Sequence, residues 1–405
     1  MHRINRPEYL DFLRRSKDRQ IIKVVSGIRR CGKSTMFELY RDWLLENGAA
    51  AEQIISINFE DIAFEHLTNY RALYDEVKGH LLPDKMNYVF LDEIQHVEQF
   101  EKAVDSLFIQ KNVDLYITGS NAYFMSGELA TLLSGRYIEL KMLPLSFAEY
   151  CDGLALYGAA PMTNAQKYAA YLENSAFPYT LQLDGRKQDI NEYLTGIYNS
   201  IILKDVVTRL RIPDVMMLES VVKFLFHNIG NVLSTTKIAN TMTSEGRKID
   251  QKTVEKYISG LIDSLLVYQA KRYNIKGKKL LATLEKYYVA DIGLRRLLFS
   301  SGAADQGHIL ENVVYLELLR RGYDVSVGHM ADGEVDFVAQ NASGTTYFQV
   351  AATVLDESTL RRELASLDKI SDHNPKVLLT LDEVGAGTNH NGIQQLNVLE
   401  WLLDR

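Results

Sequence analysis

A glycine-rich stretch near the start of the chain carries the residue types best suited to hold phosphate. Residues 27–34 read GIRRCGKS, the G-x-x-x-x-G-K-S pattern, in which Gly27 and Gly32 bracket the loop. An apolar run over 21–25 precedes it and helical periodicity begins at Thr35, so the loop has the strand–loop–helix setting that the pattern requires. Glycines let backbone N–H groups approach phosphate oxygens, and the helix N-terminus adds partial positive charge. The stretch therefore predicts a binding site for ATP or ADP.

The end of this loop supplies the charged and hydroxyl groups of the predicted site. Lys33 is expected to reach the β- and γ-phosphates as a catalytic cation, and the Ser34 hydroxyl to be a ligand of Mg²⁺. Cys31, inside the loop, is interpreted as small filler. The residues predicted to line the nucleotide here are Gly27, Arg30, Cys31, Gly32, Lys33, Ser34 and Thr35.

A second apolar strand, NYVFLDEIQ, ends in two carboxylates. Asp92 is expected to hold the Mg²⁺ shell, and Glu93 to orient or deprotonate the attacking water. Two acids at a strand end are by themselves better explained as solvated side chains. The phosphate loop roughly 60 residues upstream favours the catalytic interpretation, since the two motifs commonly work as a pair.

Two later stretches offer further candidates for the same site. The strand VDLYITGSN brings Ser120 and Asn121 to its C-terminal edge, where open α/β sheets collect ligand groups, and one of them is expected to sense the γ-phosphate. Arg136 precedes another strand and is a candidate catalytic cation, acting within its own chain or from a neighbouring subunit. The alternative for Arg136 is a surface arginine paired with Glu139.

The composition of the 405-residue chain is that of an ordinary globular protein, with 46% hydrophobic and 24% charged residues. No stretch approaches the roughly 20 apolar residues that a membrane helix needs, so no membrane association is expected. The polar start argues against a secretory signal, and the two cysteines, Cys31 and Cys151, are too few for a disulfide framework. These features predict a cytoplasmic protein.

Changes of pattern along the chain predict four segments. Short apolar strands alternate with helical stretches at the start, which is typical of a parallel α/β sheet. Mostly helical sequence follows, then helices with two strand-like runs, and finally a second small α/β unit. The predicted segments are an ATPase domain at 1–150, a helical lid or linker at 151–215, a two-helix and hairpin module at 216–298, and the last unit at 299–405.

The basic charge of the chain is concentrated in one region. Residues 234–280 contain ten Lys and Arg against four Asp and Glu, a local charge of +6 that leaves the remainder at −13. The region is typical of a winged helix–turn–helix, with Lys276, Lys278 and Lys279 between the two wing strands. Two interpretations stay open: contact with DNA phosphates, or a lid or docking element for a protein partner.

The last segment has the order of acidic residues found in metal-dependent nucleases. Glu311 lies on a predicted helix and Asp336 ends the strand EVDFVA, but the next strand, YFQVAAT, has Gln349 where an acid is expected and Ala351 where a lysine is expected. An amide is a weaker metal ligand than a carboxylate, and alanine cannot activate water. Glu311, Asp336 and Gln349 therefore predict a degenerate nuclease site that does not cleave nucleic acid. Lys369, on the following helix, is the alternative source of the lysine.

Four stretches occur in a distinctive order and spacing: GIRRCGKST, VFLDEIQ, ITGSN and SGRYIELKMLPLSFAEY. Together with IYNSIILKDVVTR and ILENVVYLELLRRGYDV further on, they resemble the AAA+-like P-loop ATPases of prokaryotes that carry a C-terminal domain of unknown function. The resemblance covers nearly the whole chain. It implies an α/β fold: a parallel P-loop NTPase sheet with an additional strand, then a helical lid, a winged helix and a small nuclease-like domain of the PD-(D/E)xK type.

These inferences combine into one predicted function and two rivals. The chain is expected to bind and hydrolyse ATP with Mg²⁺ and to act as a nucleotide-driven switch coupled to DNA or to a protein partner. One rival is an ATP-regulated, metal-dependent DNase. The other is a nucleotide-binding signalling module with negligible turnover.

Overall fold

The computed structural model describes residues 3–119, 133, 135–281, 284–299, 305–331 and 333–404, and the statements below concern these residues. The chain divides into two units. The first comprises 1–144 with 263–265, and the second comprises 145–262 with 266–405.

The first unit is built on a five-stranded sheet. Its strands are β1 (Ile22–Gly27), β2 (Ile54–Asn58), β3 (Asn87–Asp92), β4 (Val113–Thr118) and β5 (Tyr137–Met142). Its helices are α1 (Pro7–Arg15), α2 (Lys33–Glu46), α3 (Tyr70–His80) and α4 (Phe100–Phe108), with 3₁₀ turns at Ala51–Gln53, Ile62–Leu67 and Ile94–His96. Every residue of β1, β3 and β4 is buried, which is why these strands read as continuous apolar runs in the sequence.

The strands are all parallel and are ordered β2-β3-β4-β1-β5. Strand β4 lies between β1, which leads into the glycine-rich loop, and β3, which ends in the two carboxylates. The additional-strand P-loop sheet predicted from the sequence is therefore confirmed. Because parallel strands end at one edge, this order brings the C-terminal ends of β1, β3 and β4 together.

A buried ion pair joins the two central strands of this sheet. The Lys23 ammonium pairs with Asp114 Oδ1 and donates to the carbonyl of Arg19 at 2.7 Å. The other carboxylate oxygen of Asp114 accepts from the Tyr116 hydroxyl at 2.7 Å and from the Asp18 N–H at 2.8 Å. Both charged side chains are essentially inaccessible to solvent, so each depends on the other for charge compensation.

The second unit contains ten helices among the described residues. They are α5 (Phe147–Leu156), α6 (Asn164–Asn174), α7 (Lys187–Ser200), α8 (Val215–His227), α9 (Thr235–Ser244), α10 (Gln251–Asp263), α11 (Ile292–Leu298), α12 (Gln306–Arg320), α13 (Glu357–Asp368) and α14 (Val398–Leu403). A 3₁₀ segment lies at Pro178–Leu183, and a π-helical segment, Ile201–Thr208, continues α7.

Two sheets organise these helices. A three-stranded antiparallel sheet has the order β6 (Val232–Leu233), β10 (Glu285–Val289), β7 (Val267–Ala270), and helices α9 and α10 lie between β6 and β7 in the chain. The larger sheet contains β8 (Arg272–Asn274), β9 (Lys279–Leu280), β11 (Asp324–Met330), β12 (Gly333–Asn341), β13 (Gly344–Ala351), β14 (Lys376–Thr380), β15 (Asn389–His390) and β16 (Ile393–Asn397). Its order is β15-β16-β14-β13-β12-β11-β8-β9.

The basic hairpin departs from the sequence-based prediction. The sequence predicts one continuous wing with Lys276, Lys278 and Lys279 in its loop, but the chain changes sheets after Ala270. Strand β8 pairs in parallel with β11, with Arg272 opposite Val327, so the outer part of the hairpin extends the larger sheet. Pairing there covers the backbone groups of β11 that would otherwise form an open sheet edge.

Helix α12 is fastened to β10 by a buried amide. The Asn312 side chain donates to the carbonyl of Val289 at 2.9 Å and accepts from the N–H of the same residue at 2.8 Å. Asn312 is fully buried, so loss of these bonds would leave polar groups unsatisfied. The three-stranded sheet and α12 are therefore held in a fixed register.

We expect Lys23→Met to lower the free energy of unfolding of the first unit by about 3–5 kcal/mol, because it leaves the buried carboxylate of Asp114 without a compensating charge. The double variant Lys23→Met/Asp114→Asn should recover most of this loss, since asparagine keeps an acceptor oxygen for Tyr116 without the charge. Urea unfolding monitored for this unit measures both. Lys85→Met, at an exposed lysine, is the matched control and should stay within about 0.5 kcal/mol of wild type. A Lys23→Met protein as stable as wild type would contradict the assigned role.

Candidate functional site

The glycine-rich loop adopts the backbone that its sequence predicts. A Cβ atom on Gly27 would lie 2.6 Å from the carbonyl oxygen of Met142 and 2.8 Å from Cys31 Sγ, so no larger residue fits there. Gly32 has φ 105° and precedes the first residue of α2, a conformation that favours glycine. Arg30 has φ 65° and is exposed, whereas Cys31 is buried. Burial raises the pKa of the Cys31 thiol, consistent with its interpretation as filler.

A buried arginine that the sequence-based prediction missed hydrogen-bonds to the backbone of the glycine-rich loop. The Arg6 guanidinium donates to the carbonyls of Cys31 at 2.9 Å, Leu143 at 2.9 Å and Pro144 at 3.2 Å. It thereby ties the loop to the segment after β5. No local pattern marks Arg6, because its partners lie 25 and more than 130 residues away in the chain.

Lys33 lies at the centre of the site. Its side chain is 5% exposed, and its ammonium donates to the carbonyl of Gly27 at 3.2 Å and is 3.8 Å from Glu93 Oε1. The other carboxylate oxygen of Glu93 accepts from the Gln95 side chain at 2.5 Å. Glu93 has φ 56°, a left-handed conformation directly after β3, so the strand turns sharply at this carboxylate.

The neighbouring carboxylate, Asp92, is surrounded by hydroxyl groups. It accepts a hydrogen bond from Thr118 Oγ1, which in turn accepts from the N–H of Glu93 at 2.9 Å, and the Ser34 hydroxyl favours its charged form. Burial raises the pKa of Asp92 above its usual value, and the two hydroxyls counteract this effect. Thr118 was not predicted from the sequence, although it is the last residue of β4.

The pair formed by Ser34 and Asp92 fits a magnesium ion chemically. A serine hydroxyl and an aspartate carboxylate are oxygen ligands of the kind that Mg²⁺ prefers, and here the Ser34 hydroxyl favours the charged form of Asp92. Ser34 follows Lys33 in α2, and Asp92 ends β3. The chemistry of this donor set fits the ion, and the metal-binding roles of the two residues stay predictions.

Arg136 lies at the opposite edge of the sheet. It precedes β5, and β5 runs parallel to β1 with Tyr137 opposite Ile22 and Met142 opposite Gly27, so about 15–20 Å of strand separates it from the loop. The Arg136 guanidinium is 3.6 Å from Asp105 Oδ1. At this distance the Arg136 side chain cannot reach the loop of its own chain. A role toward a neighbouring subunit and a surface arginine, here paired with Asp105, both remain open.

Two other predictions have different outcomes. The alternative partner of Arg136, Glu139, instead accepts from the Ser26 hydroxyl at 2.5 Å and is 3.8 Å from the Lys141 ammonium. Ser120 and Asn121 lie outside the described residues.

The predicted nuclease-like residues lie close together in the second unit. Glu311 is on α12, Asp336 on β12 and Gln349 on β13. Asp336 Oδ2 accepts from the N–H of Val350 at 2.9 Å, and Gln349 Oε1 accepts from the N–H of Asp336 at 3.3 Å. The Gln349 amide donates to Glu363 Oε2 on α13 at 2.8 Å.

A lysine that the sequence-based prediction missed lies among these acids. The Lys286 ammonium on β10 is 2.7 Å from Glu334 Oε1, 2.9 Å from Glu311 Oε1 and 3.6 Å from Asp336 Oδ1. We call Lys286, Glu311, Glu334 and Asp336 the lysine–acid cluster. The predicted alternative, Lys369, is exposed and lines a separate groove.

The cluster perturbs the proton affinities of its members. Burial raises the pKa of Asp336 to about 7, and the charge of Glu311 acts in the same direction. Burial alone would raise the pKa of Glu311, but the charge of Lys286 brings it below its usual value. Burial disfavours the charged form of Lys286, yet the three acids raise its pKa, so the ammonium is retained. Within the described residues, no group of three His, Cys, Asp or Glu side chains is arranged to hold a metal ion.

The groove lined by Lys369 is a basic surface feature of the second unit. Its volume is about 1150 Å³, and its lining includes Lys276, Lys278, Lys279 and Lys369, with Asp372 as the acidic member. All four lysines are exposed.

In the described part of the chain, no helix has the length and apolar character needed to span a membrane.

Comparison with known proteins adds family relationships to this geometry. Residues 19–151 match an AAA domain family, and residues 165–305 match a domain of unknown function. The chain is 38% identical over 402 residues to an uncharacterized protein of Haemophilus influenzae, covering 99% of this chain and 98% of that one. It is 29% identical over 383 residues to the uncharacterized protein MJ1544 of Methanocaldococcus jannaschii, covering 89% and 82% of the two chains.

The fold is shared with a solved structure. The Walker-type ATPase PABY2304 of Pyrococcus abyssi aligns with a TM-score of 0.50 at 17% identity, over 73% of this chain and 96% of that one. The AAA domain match coincides with the glycine-rich loop, the paired carboxylates and the additional-strand sheet of the first unit. The resemblance predicted from the sequence is confirmed: this chain belongs to the AAA+-like P-loop ATPases, with a C-terminal extension that includes a domain of unknown function.

Proposed function

We propose that this protein binds ATP and hydrolyses it to ADP and phosphate. The observation that carries the proposal is the position of the Glu93 carboxylate, 3.8 Å from the Lys33 ammonium and next in sequence to Asp92, at the edge where the glycine-rich loop meets α2. A cation for phosphate and a carboxylate for water are thus held side by side. The AAA domain match over 19–151 supports the same chemistry.

The roles of the residues follow from the bonds that change. Lys33 and the loop N–H groups bind the phosphates, while Glu93 orients a water molecule and accepts its proton as the water oxygen bonds to the γ-phosphorus. The bond between the γ-phosphorus and the bridging oxygen breaks, and ADP leaves with the electron pair. Ser34 and Asp92 would hold Mg²⁺, which when bound would supply neutralising positive charge near the phosphates. Gly27, Arg30, Cys31, Gly32 and Thr35 complete the proposed nucleotide contacts, with Ser120 or Asn121 as the proposed γ-phosphate sensor.

We further propose that nucleotide state is transmitted to DNA through the second unit. The support is the order of β6, α9, α10, β7 and β10, which is that of a winged helix, together with the four exposed lysines of the basic groove. Lysines without a bidentate geometry favour the DNA backbone over individual bases. A protein partner is the alternative ligand for this surface, and it is favoured if DNA does not bind.

The remaining assignments belong to the same proposal. We retain the functional segments 1–150, 151–215, 216–298 and 299–405, with the last as a degenerate nuclease-like domain. Within the described residues Cys31 and Cys151 form no disulfide, which is compatible with the reducing cytoplasm that we propose as the protein's location.

Two substitutions separate nucleotide binding from hydrolysis. Lys33→Ala should abolish ATP binding, because the cation that neutralises the β- and γ-phosphates is lost. Glu93→Gln should keep ATP affinity but lower turnover by at least about 100-fold, since the amide cannot accept a proton. Equilibrium binding of a fluorescent ATP analogue and steady-state phosphate release measure the two effects. Glu98→Gln, at an exposed carboxylate five residues away, is the matched control with wild-type turnover. Undiminished hydrolysis by Glu93→Gln would assign the water to another group.

A mixing experiment tests Arg136 in the neighbouring subunit. Arg136→Ala and Glu93→Gln should each be nearly inactive alone, but a mixture should regain turnover. In mixed assemblies some sites combine an intact Glu93 with an intact Arg136 from the adjacent chain. Phosphate release by the mixture, compared with the sum of the separate proteins, measures the gain. Wild-type activity of Arg136→Ala would exclude the role entirely, and a defect without recovery on mixing would argue against a contribution between subunits.

DNA binding is tested by its dependence on salt. Affinity should fall steeply with ionic strength and differ little between sequences, with a log–log slope of about one unit per phosphate contact. Changing Lys276, Lys278 and Lys279 together to glutamine should flatten the slope by up to about three units. The control changes Lys85, Lys102 and Lys111, three exposed lysines of the first unit, and should keep the wild-type slope. Fluorescence anisotropy with duplex and single-stranded probes gives both slopes. No binding at about 50 mM salt would favour a protein partner.

A further inference from the structure

We propose that Lys286 is a built-in cation that occupies the place of a divalent metal ion in the C-terminal domain. The ammonium would take the position that a metal ion would need. The lysine–acid cluster would therefore hold no metal while Lys286 is present. The proposal rests on the nuclease-like interpretation of this domain and is independent of ATP hydrolysis in the first unit.

The positions of the carboxylates carry the proposal. Lys286 approaches three of them, at 2.7, 2.9 and 3.6 Å, and they come from two different elements, α12 and β12. Glu334 and Asp336 are two residues apart on one strand, so both side chains lie on the same face of the sheet. Carboxylates converging on one point form the arrangement that suits a cation, and the ammonium is at that point.

The ammonium is held in place by the backbone that carries it. Strand β10 pairs with β7, where Lys286 is opposite Ala270, and Asn312 fixes the end of the strand at Val289. The Tyr288 hydroxyl, on the same strand, donates to Glu311 Oε1 at 2.6 Å. Lys286 is 5% exposed, so it has little room to withdraw without unpairing the strand.

The backbone packs tightly on one side of the cluster. A Cβ atom on Gly230 would lie 2.7 Å from His308 Nδ1 and 3.1 Å from Glu311 Oε2, so only a glycine at φ 72° lets the chain pass there. On another side, Glu311, Asp336 and Gln349 line a pocket of about 410 Å³, through which an ion could reach the acids. The ammonium and the N–H of Val350 engage both oxygens of Asp336, and the ammonium and the Tyr288 hydroxyl engage Glu311 Oε1.

The Lys286 ammonium contacts all three carboxylates directly and so occupies the space between them. A divalent ion entering this cluster would meet the ammonium within a few ångströms, where two positive charges in a buried site repel strongly. The proposal therefore predicts that the wild-type cluster rejects Mg²⁺ and Mn²⁺ and cleaves no phosphodiester. It equally predicts that removing the ammonium exposes a latent metal site.

The test is rescue of Lys286→Met by a metal ion. Without its cation, a cluster of buried carboxylates should lower the Tm of the second unit by roughly 10 °C. Mn²⁺ added to the nucleotide-free variant should restore most of this loss in a saturable manner, because bound ligand stabilises the folded state. Differential scanning calorimetry measures the Tm, and isothermal titration with Mn²⁺ measures binding. Adding Glu311→Gln to Lys286→Met should weaken the rescue at least tenfold in apparent affinity.

Lys23→Met is the matched control. It removes a second buried lysine, but one that pairs with the single carboxylate of Asp114, so its lowered Tm should not respond to Mn²⁺. ATP binding is measured on the same samples, and its retention in Lys286→Met shows that any failure concerns the cluster and not the nucleotide site.

Two results would overturn the proposal. One is a Lys286→Met protein whose Tm is not raised by Mn²⁺ and which shows no Mn²⁺ binding by isothermal titration. The other is Mn²⁺ binding by the nucleotide-free wild type that Asp336→Asn abolishes, which would make Lys286 a lysine beside a working metal site. If Lys286→Met gives no soluble protein, the wild-type titration decides: no Mn²⁺ binding supports the built-in cation, and binding lost in Asp336→Asn refutes it.

Discussion

A buried carboxylate has to find positive charge or hydrogen-bond donors, and the way this chain meets that requirement shapes each of its sites. Asp114 is compensated by the ammonium of Lys23 inside the sheet of the first unit. Asp92, at the edge of the same sheet, is compensated by the hydroxyls of Thr118 and Ser34. Hydroxyl donors can turn toward a metal ion or a phosphate, whereas a buried ion pair is fixed. The same residue type is therefore structural in one place and available for chemistry in the other.

The second unit joins two modules through one strand. β10 belongs to the three-stranded sheet by its pairing with β7, and its side chains also reach α12 and β12 through the lysine–acid cluster. The β8–β9 hairpin makes a second connection, because it leaves the small sheet and extends the large one. A ligand bound at the basic groove would contact this hairpin and β11, which both belong to the larger sheet.

Most of the first unit could be predicted from the sequence because its information is local. The glycine-rich loop, its strand and its helix occupy consecutive residues, and Asp92 and Glu93 end a single apolar strand. The prediction for Arg136 left its own chain and a neighbouring subunit both open. The sheet separates Arg136 from the loop of its own chain, because in a parallel sheet a residue that precedes a strand lies at the edge opposite the loops that follow the strands. The role of Arg6 could not be predicted, because its carbonyl partners are distant in sequence. Polar interactions over such a separation produce no periodicity or motif in the sequence.

The sequence by itself determined the α/β class, the strand order around the P-loop, the identity of Lys33, Ser34, Asp92 and Glu93 as candidates, and the loss of an acid and a lysine at Gln349 and Ala351. Tertiary structure alone decided which residues surround Glu311 and Asp336. Lys286 precedes Glu311 by 25 residues and lies on a strand of another sheet, so only the packing of α12 on β10 brings its ammonium among the acids. Local patterns report which residues share an element, whereas charge compensation in a buried site depends on which elements meet.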